Sequence, residues 1–261
     1  MIKAAFFDID GTLVSFNTHT IPQSTLDAIS RIRQKGVKVF IATGRPLPFI
    51  NNLGTLEYDG IMSVTGASCT TADGTVIAQN PVPKEDIERL IADLKEHPMP
   101  VAFASDEKAI VTYLDADMQK FQEVFTLLNI ELPISQPVEE ALNMDVMQVI
   151  AFFSQEEEPR IMRDVLKGCD ANRWHPYFAD CVAKGTNKAT GIDAACAHYG
   201  IELKDTIAFG DGGNDITMLR HAGVGIAMGN ASDEVKECAD MITDTVDNDG
   251  IAKALDSLFS V

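Results

Sequence analysis

Apolar and polar positions follow one another along this chain in two textures, and their order predicts a fold. Ala4 to Phe7 form an apolar run that ends in Asp8-Ile9-Asp10-Gly11-Thr12. A continuous apolar run of this length reads as a strand buried on both faces. Leu13 to Ile21 carries polar residues and reads as a loop. From Pro22 the positions Leu26, Ile29 and Ile32 recur every three residues as far as Gly36, the pattern of a helix and its stop. Val37 to Ala42 is a second apolar strand, halted by Thr43-Gly44-Arg45. Strand, helix, strand at these lengths is a βαβ unit and favours a parallel sheet. A third strand is predicted at 60–64, and Asp73-Gly74 predicts a tight hairpin.

Asn80-Pro81-Val82-Pro83 reads as a linker, because two prolines block both a helix and a central strand. The texture changes after it. Ile87, Leu90, Ile91 and Leu94 form a helical core stripe, and short strands are predicted at 101–105 and 109–113. A helix carrying Met118, Phe121, Phe125 and Leu128 follows, then a strand at 146–153 and a helix at 156–167. From Lys184 the first texture returns. It comprises a helix over 187–199, a strand from Thr206 to Gly210 that runs into Asp211-Gly212-Gly213-Asn214-Asp215, a helix with Ile216, Met218 and Leu219, a strand over 224–228, and two closing helical segments. The expected architecture is α/β: a doubly wound, Rossmann-like parallel sheet over 1–81 and 181–261, with a smaller α/β domain, 82–180, inserted in it.

Composition narrows the setting. The 261 residues supply ample core for one large or two moderate domains. No apolar run approaches the ~20 residues of a membrane span, and Met1-Ile2-Lys3 leads into a strand with no basic leader. The five cysteines are scattered and lack any Cys-x-x-Cys pair, so a reducing cytoplasm is the expected location. A net charge of −18 argues against nucleic-acid and anionic-membrane partners. The segment 82–180 holds 9 Lys/Arg against 20 Asp/Glu, net −11, and leaves −7 for the rest. An anionic substrate must therefore be met by local positive charge.

The candidate chemistry lies where strands end. Asp8 and Asp10, two apart, would point the same way from one strand end, and such a pair needs a cation or a proton. On spacing alone, a strand end that simply meets water is an equal reading. Thr43-Gly44, the Asn187-Lys188 helix start and Asp211 with Asn214 and Asp215 repeat the pattern of a strand end followed by small polar or acidic residues. In a doubly wound sheet ligands gather outside the carboxyl ends of the strands. Singly each piece reads as a turn, a cap or a surface lysine, but the ordered set does not.

In order, Asp8-Ile9-Asp10-Gly11-Thr12, Thr43, Lys188 and Gly210-Asp211-Gly212-Gly213-Asn214-Asp215 resemble the four motifs of the haloacid dehalogenase (HAD) superfamily. The insertion resembles, by length and position, the large α/β (type IIB) cap of the Cof-like branch, which is similar to sugar phosphatases. The resemblance implies a Mg²⁺-dependent phosphatase of small phosphorylated metabolites, with no membrane and no obligate protein partner. It implies metal ligands from the Asp8 carboxylate, the Asp10 carbonyl and the Asp211 carboxylate, with Asn214 and Asp215 orienting waters and Lys188 behind them. Asp8 is then the nucleophile, Asp10 the acid and base, and Gly11, Thr43, Gly44, Arg45, Lys188 and Asn214 the phosphate and substrate contacts. Charge agrees: two like charges roughly 4 Å apart repel by ~4 kcal/mol at an effective dielectric of about 20, so phosphate beside three aspartates requires a cation.

Three readings stay open. Arg45 is a substrate contact or a surface salt bridge. Trp174 and Asp180, where the chain is expected to leave the insertion, are cleft residues, or Trp174 is a packed aromatic. The same motifs also serve a phosphomutase or phosphotransferase, and a receiver-like phospho-aspartate module is a more distant alternative.

Overall fold

The computed structural model describes residues 1–112, 122–123, 125–126, 133 and 135–259. The chain divides into two compact units: residues 1–45, 50–78 and 187–261 form the first, and 46–49 with 79–186 form the second. The expected insertion, 82–180, is therefore widened at both ends, and it gains the short segment Pro46–Phe49.

The first unit is built on an eight-stranded sheet. Its strands are β1 (Ala4–Phe7), β2 (Lys38–Ala42), β3 (Gly60–Ser63), β4 (Ser68–Thr71), β5 (Val76–Gln79), β11 (Thr206–Gly210), β12 (Val224–Ala227) and β13 (Met241–Ile242). They lie in the order β13-β12-β11-β1-β2-β3-β4-β5. From β13 across to β3 all pairs are parallel, and the turn of the chain between β3 and β4 makes the first antiparallel pair. β1 sits at the centre with all four residues buried. Its two faces are distinct: Phe6 stacks on Phe40 on one side, and Phe7 stacks on Phe209 on the other, each at 4.9 Å between ring centroids. This is why the run carries no alternation.

The predicted hairpin forms at Asp73-Gly74, with Gly74 at φ 85° and the Thr71 amide donating to the Thr75 carbonyl at 2.9 Å. The helix Gln23–Gln34 buries Ala28, Ile29 and Ile32, and Gly36, at φ 86°, turns the chain into β2. The edge strand β13 was not legible, because two residues carry no period.

The second unit has a five-stranded antiparallel sheet. It contains β6 (Val101–Ala104), β7 (Ala109–Thr112), β8 (Gln148–Ala151), β9 (Cys169–His175) and β10 (Phe178–Ala183), in the order β7-β6-β8-β10-β9. One sheet face packs Val101, Phe103, Val149, Ala151 and Cys181 against Ile87, Leu90 and Ile91 of the helix Lys84–Glu96. Phe49, Ala102, Val111, Phe125, Ile150, Phe152 and Phe178 cluster together as a separate apolar group.

Two sequence expectations change here. The helix at 156–167 is a single turn, Glu158–Arg160, continued by a π-helical turn, Ile161–Val165; Pro159 sits in the first of these, where a helix tolerates it. Residues 173–180 are not an exit segment. They are most of the β9–β10 hairpin, whose polar residues and register shift between Phe178 and Asp180 hide its alternation. Because β10 pairs with β8, the unit extends to Thr186. Asn80 Nδ2 donates to Thr186 Oγ1 at 2.9 Å, tying the two ends of the insertion together. Of the helix read around Met118, Phe121, Phe125 and Leu128, only residues 122–123 and 125–126 are described, and Phe125 is buried.

Candidate active site

β1 ends at Phe7, so Asp8 and Asp10 do not share one strand face as the two-residue spacing suggested. A compact turn carries them instead. The Leu13 amide donates to the Asp8 carbonyl at 3.2 Å, and the Gly11 amide to the Val14 carbonyl at 2.9 Å. Gly11 has φ 88°, and a Cβ there would run into the Asp211 carboxylate, so the turn and the Asp211 strand end need glycine to meet.

Lys188 is the first residue of the helix Lys188–Tyr199 and is fully buried. Asn187 caps that helix, accepting from the Ala189 and Thr190 amides at 3.0 and 3.2 Å, while the Asn187 amide donates to Thr190 Oγ1 at 3.3 Å. The helix start lies close against the loop after β3, where a Cβ on Gly66 would come within 2.5 Å of the Asn187 carbonyl. Local sequence thus aims the lysine before any ligand arrives.

Lys188 Nζ donates to Asp8 Oδ1 at 2.6 Å and also to Asp215 Oδ1. Asp215 Oδ2 accepts from the Asp211 and Gly212 amides at 3.0 and 2.9 Å. Both oxygens of Asp215 are therefore committed to lysine and backbone. Asp211 accepts from Thr12 Oγ1 at 2.7 Å through Oδ1 and from Asn230 Nδ2 at 3.1 Å through Oδ2. Arg45 clasps Asp10 with two bonds of 2.7 Å, Nε to Oδ2 and Nη2 to Oδ1. The surface salt bridge weighed from sequence is a buried fork: the Arg45 side chain is 8% exposed.

Burial and charge together set the ionisation. Burial first, and then the neighbouring Asp215 carboxylate, push Asp8 well above the usual carboxylate range, against the pull of Lys188. Burial also drives Asp211 up to about 6, with the Thr12 hydrogen bond opposing and Asp215 adding. Burial alone would lower the Lys188 ammonium, but Asp215 and Asp8 outweigh it and hold the group above its ordinary value. With every group counted as ionised, four carboxylates (Asp8, Asp10, Asp211, Asp215) face two cations (Lys188, Arg45), a formal excess of two negative charges that burial opposes in the absence of a cation. Ligand oxygens of Asp8, Asp211 and Asp215 lie within 4.8 Å of one another. Hard oxygen donors with this excess fit one divalent cation.

The remaining predicted residues divide. Thr43 is buried and accepts the Arg45 amide at 3.0 Å through its hydroxyl. Gly44 lies against the Asn214 side-chain amide, and Asn214 itself is exposed. Asp180, on β10, and Trp174, on β9, belong to the second unit's sheet; the Trp174 side chain is outside the described ones. Two features escaped sequence reading. One is Asn230, which carries no spacing signal. The other is Val64-Thr65, both at positive φ (50° and 55°), whose amides donate to the Arg45 and Thr43 carbonyls at 3.1 and 2.8 Å. Positive φ at β-branched residues costs energy and persists where surroundings impose it. Here it supports the Thr43–Arg45 loop.

A lysine buried between carboxylates at the carboxyl ends of a parallel sheet stands where doubly wound α/β proteins bind their ligands. The chain belongs to the haloacid dehalogenase-like hydrolases, whose family model matches residues 5–255. It is an HAD-type phosphatase of the Cof-like branch with a subclass IIB cap. It is 34% identical over 263 residues to YkrA of Bacillus subtilis (strain 168), covering 98% of this chain and 97% of that one. YitU of the same organism, named a 5-amino-6-(5-phospho-D-ribitylamino)uracil phosphatase, is 28% identical over 278 residues, covering 97% and 96%. Among solved structures, the HAD subclass IIB sugar phosphatase BT4131 is 41% identical with a TM-score of 0.87, covering 99% of this chain and 100% of that one.

Proposed function

We propose that this phosphatase hydrolyses small phosphorylated metabolites, foremost hexose and other sugar phosphates, with Mg²⁺ in the cytoplasm. The observation that carries the reading is the Lys188 ammonium buried between Asp8 and Asp215, in a cluster with two negative charges in excess. Asp8 and Asp211 carboxylates and the Asp10 carbonyl would hold the metal; bound there, it would neutralise carboxylate and phosphate charge.

An Asp8 oxygen attacks phosphorus and the bond to the leaving oxygen breaks, giving an aspartyl-phosphate. Asp10 gives its proton to the leaving alkoxide, then takes one from the water that attacks phosphorus and frees Asp8. Arg45 holds both Asp10 oxygens in this structure, so that proton transfer requires one arm of the fork to let go. Lys188, the Thr43 hydroxyl and the Gly44 amide meet the phosphoryl oxygens as charge spreads over them. Gly11 shapes the turn, Asn214 contacts substrate, and Asp215 steadies Lys188. The second unit acts as the cap that selects the leaving group, with Trp174 and Asp180 its candidate contacts.

The test is phosphate release from a panel of hexose, pentose and open-chain polyol phosphates, with Mg²⁺ and with EDTA. The polyol phosphates enter through the similarity to YitU. Sugar phosphates should turn over and EDTA should stop them; indifference to EDTA sinks the metal reading. Phosphorus NMR of the products separates hydrolysis from transfer to a sugar acceptor.

A further inference from the structure

Asn230 joins three parts of the first unit that sequence separates widely. Its Nδ2 donates to the Gly11 carbonyl at 2.9 Å and to Asp211 Oδ2 at 3.1 Å, while its Oδ1 accepts from the Val246 amide at 3.1 Å. The orientation of the amide follows from its partners. Nδ2 faces two acceptors and Oδ1 faces one donor, so a flipped amide would set oxygen against oxygen twice. Asp211 is therefore held from both sides, by Thr12 at Oδ1 and by Asn230 at Oδ2. Two donors on opposite oxygens fix the plane of a carboxylate, and each oxygen keeps a further lone pair for a cation.

The third contact gives the amide an anchor. Val246 opens a segment whose Asp247 accepts from Ser15 Oγ at 2.5 Å and from Asn17 Nδ2 at 2.7 Å. The loop that follows the Asp8–Thr12 turn and the loop after β13 are thus joined, and Asn230 carries that anchorage to the turn and to Asp211.

We propose that Asn230 is a positioning residue for the metal: it presets the Asp211 carboxylate and the Gly11 turn so that both are in place before the cation binds. The proposal rests on Asp211 being a ligand, as the proposed function has it. Partners that orient metal ligands typically contribute ~10–100-fold in metal affinity or activity. Asn230 is itself exposed, so Asn230→Ala opens no cavity in the core and the protein should fold, at the cost of the Asn230 hydrogen bonds to the Val246 amide and the Gly11 carbonyl.

The experiment is calorimetric titration of Mg²⁺ into substrate-free protein, as wild type, Asn230→Ala and Asn17→Ala. The last breaks a neighbouring tie without touching Asp211. Asn230→Ala should bind Mg²⁺ ~10–100-fold more weakly and need correspondingly more for half-maximal turnover. Its substrate KM at saturating metal should stay near the wild-type value, and Asn17→Ala should bind like wild type. Equal weakening by both variants, or unchanged affinity in Asn230→Ala, overturns the proposal. Absence of Mg²⁺ binding to wild type removes the metal reading as well. If Asn230→Ala does not fold, the Asn230 side-chain amide resonances of wild type decide: they must shift when Mg²⁺ is added, and stationary signals overturn the assignment.

Discussion

Asp8 and Asp10 enter the chain as chemically identical acids, and their partners divide them. Asp8 is buried on Lys188, whereas Asp10 is held by Arg45 with its side chain 25% exposed. The proposed roles follow that division. Asp8→Asn should abolish turnover of every substrate. Asp10→Asn should leave slow attack on esters with good leaving groups and lose ~10²–10⁴-fold on alkyl phosphates, the usual worth of general acid–base catalysis. Steady-state kinetics on a sugar phosphate and an aryl phosphate compares them. Lys188 also supports the fold, because its buried ammonium neutralises two buried carboxylates. Lys188→Met should destabilise the metal-free protein by ~3–5 kcal/mol, the cost of leaving buried charge uncompensated. Urea unfolding in EDTA measures it, and a change below about 1 kcal/mol contradicts the account.

In the second unit, helix Lys84–Glu96 is tied to the 158–165 segment through Asp93. Arg160 reaches it with Nη1 to Oδ1 at 2.7 Å and Nη2 to Oδ2 at 3.1 Å, and His97 Nδ1 lies 3.1 Å from Oδ1. The Arg160 hydrogen bonds, foremost, hold Asp93 below the usual carboxylate range against the opposing effect of burial. A carboxyl whose folded pKa is depressed binds protons more weakly folded than unfolded. Its contribution is full above the unfolded value, about pH 4, and is lost as pH falls through the folded value. The ion pair is partly open to water, so the amount is about 1 kcal/mol. Asp93→Asn should be less stable by that much at pH 7 and converge on wild type as pH falls below 4, as read by denaturant midpoints across pH. A constant gap down to pH 2 contradicts the linkage.

Across the whole molecule, the two units have separate sheets and cores, and the excess charge of the site lies in the first. Mg²⁺ should stabilise that unit by ~2.7 kcal/mol at a hundred times its dissociation constant. Hydrogen exchange should register this in β1 and β11, which lead directly into Asp8 and Asp211, and EDTA should reverse it. No change in either strand with saturating Mg²⁺ would falsify the assignment of the metal to this cluster. Among the described residues no helix is long and apolar enough to cross a membrane.

Several things were decided by sequence alone. Apolar runs placed β1, β2 and β11, because a strand buried on both faces can carry little else. The hairpin at Asp73-Gly74 and the helix start at Asn187-Lys188 were legible because turn and helix-start signals are local. The order of the four motifs named the family. Tertiary structure decided the rest. It placed Asp8 and Asp10 on a turn rather than a strand, gave Arg45 to Asp10, and brought Asn230 to Asp211 from 19 residues further on. It also assembled β9 and β10, whose polar residues and shifted register conceal the strand period. The physical reason is common to these cases. Periodicity records which side of an element meets apolar core, whereas the partner of a charged or amide group is set by where distant backbone passes.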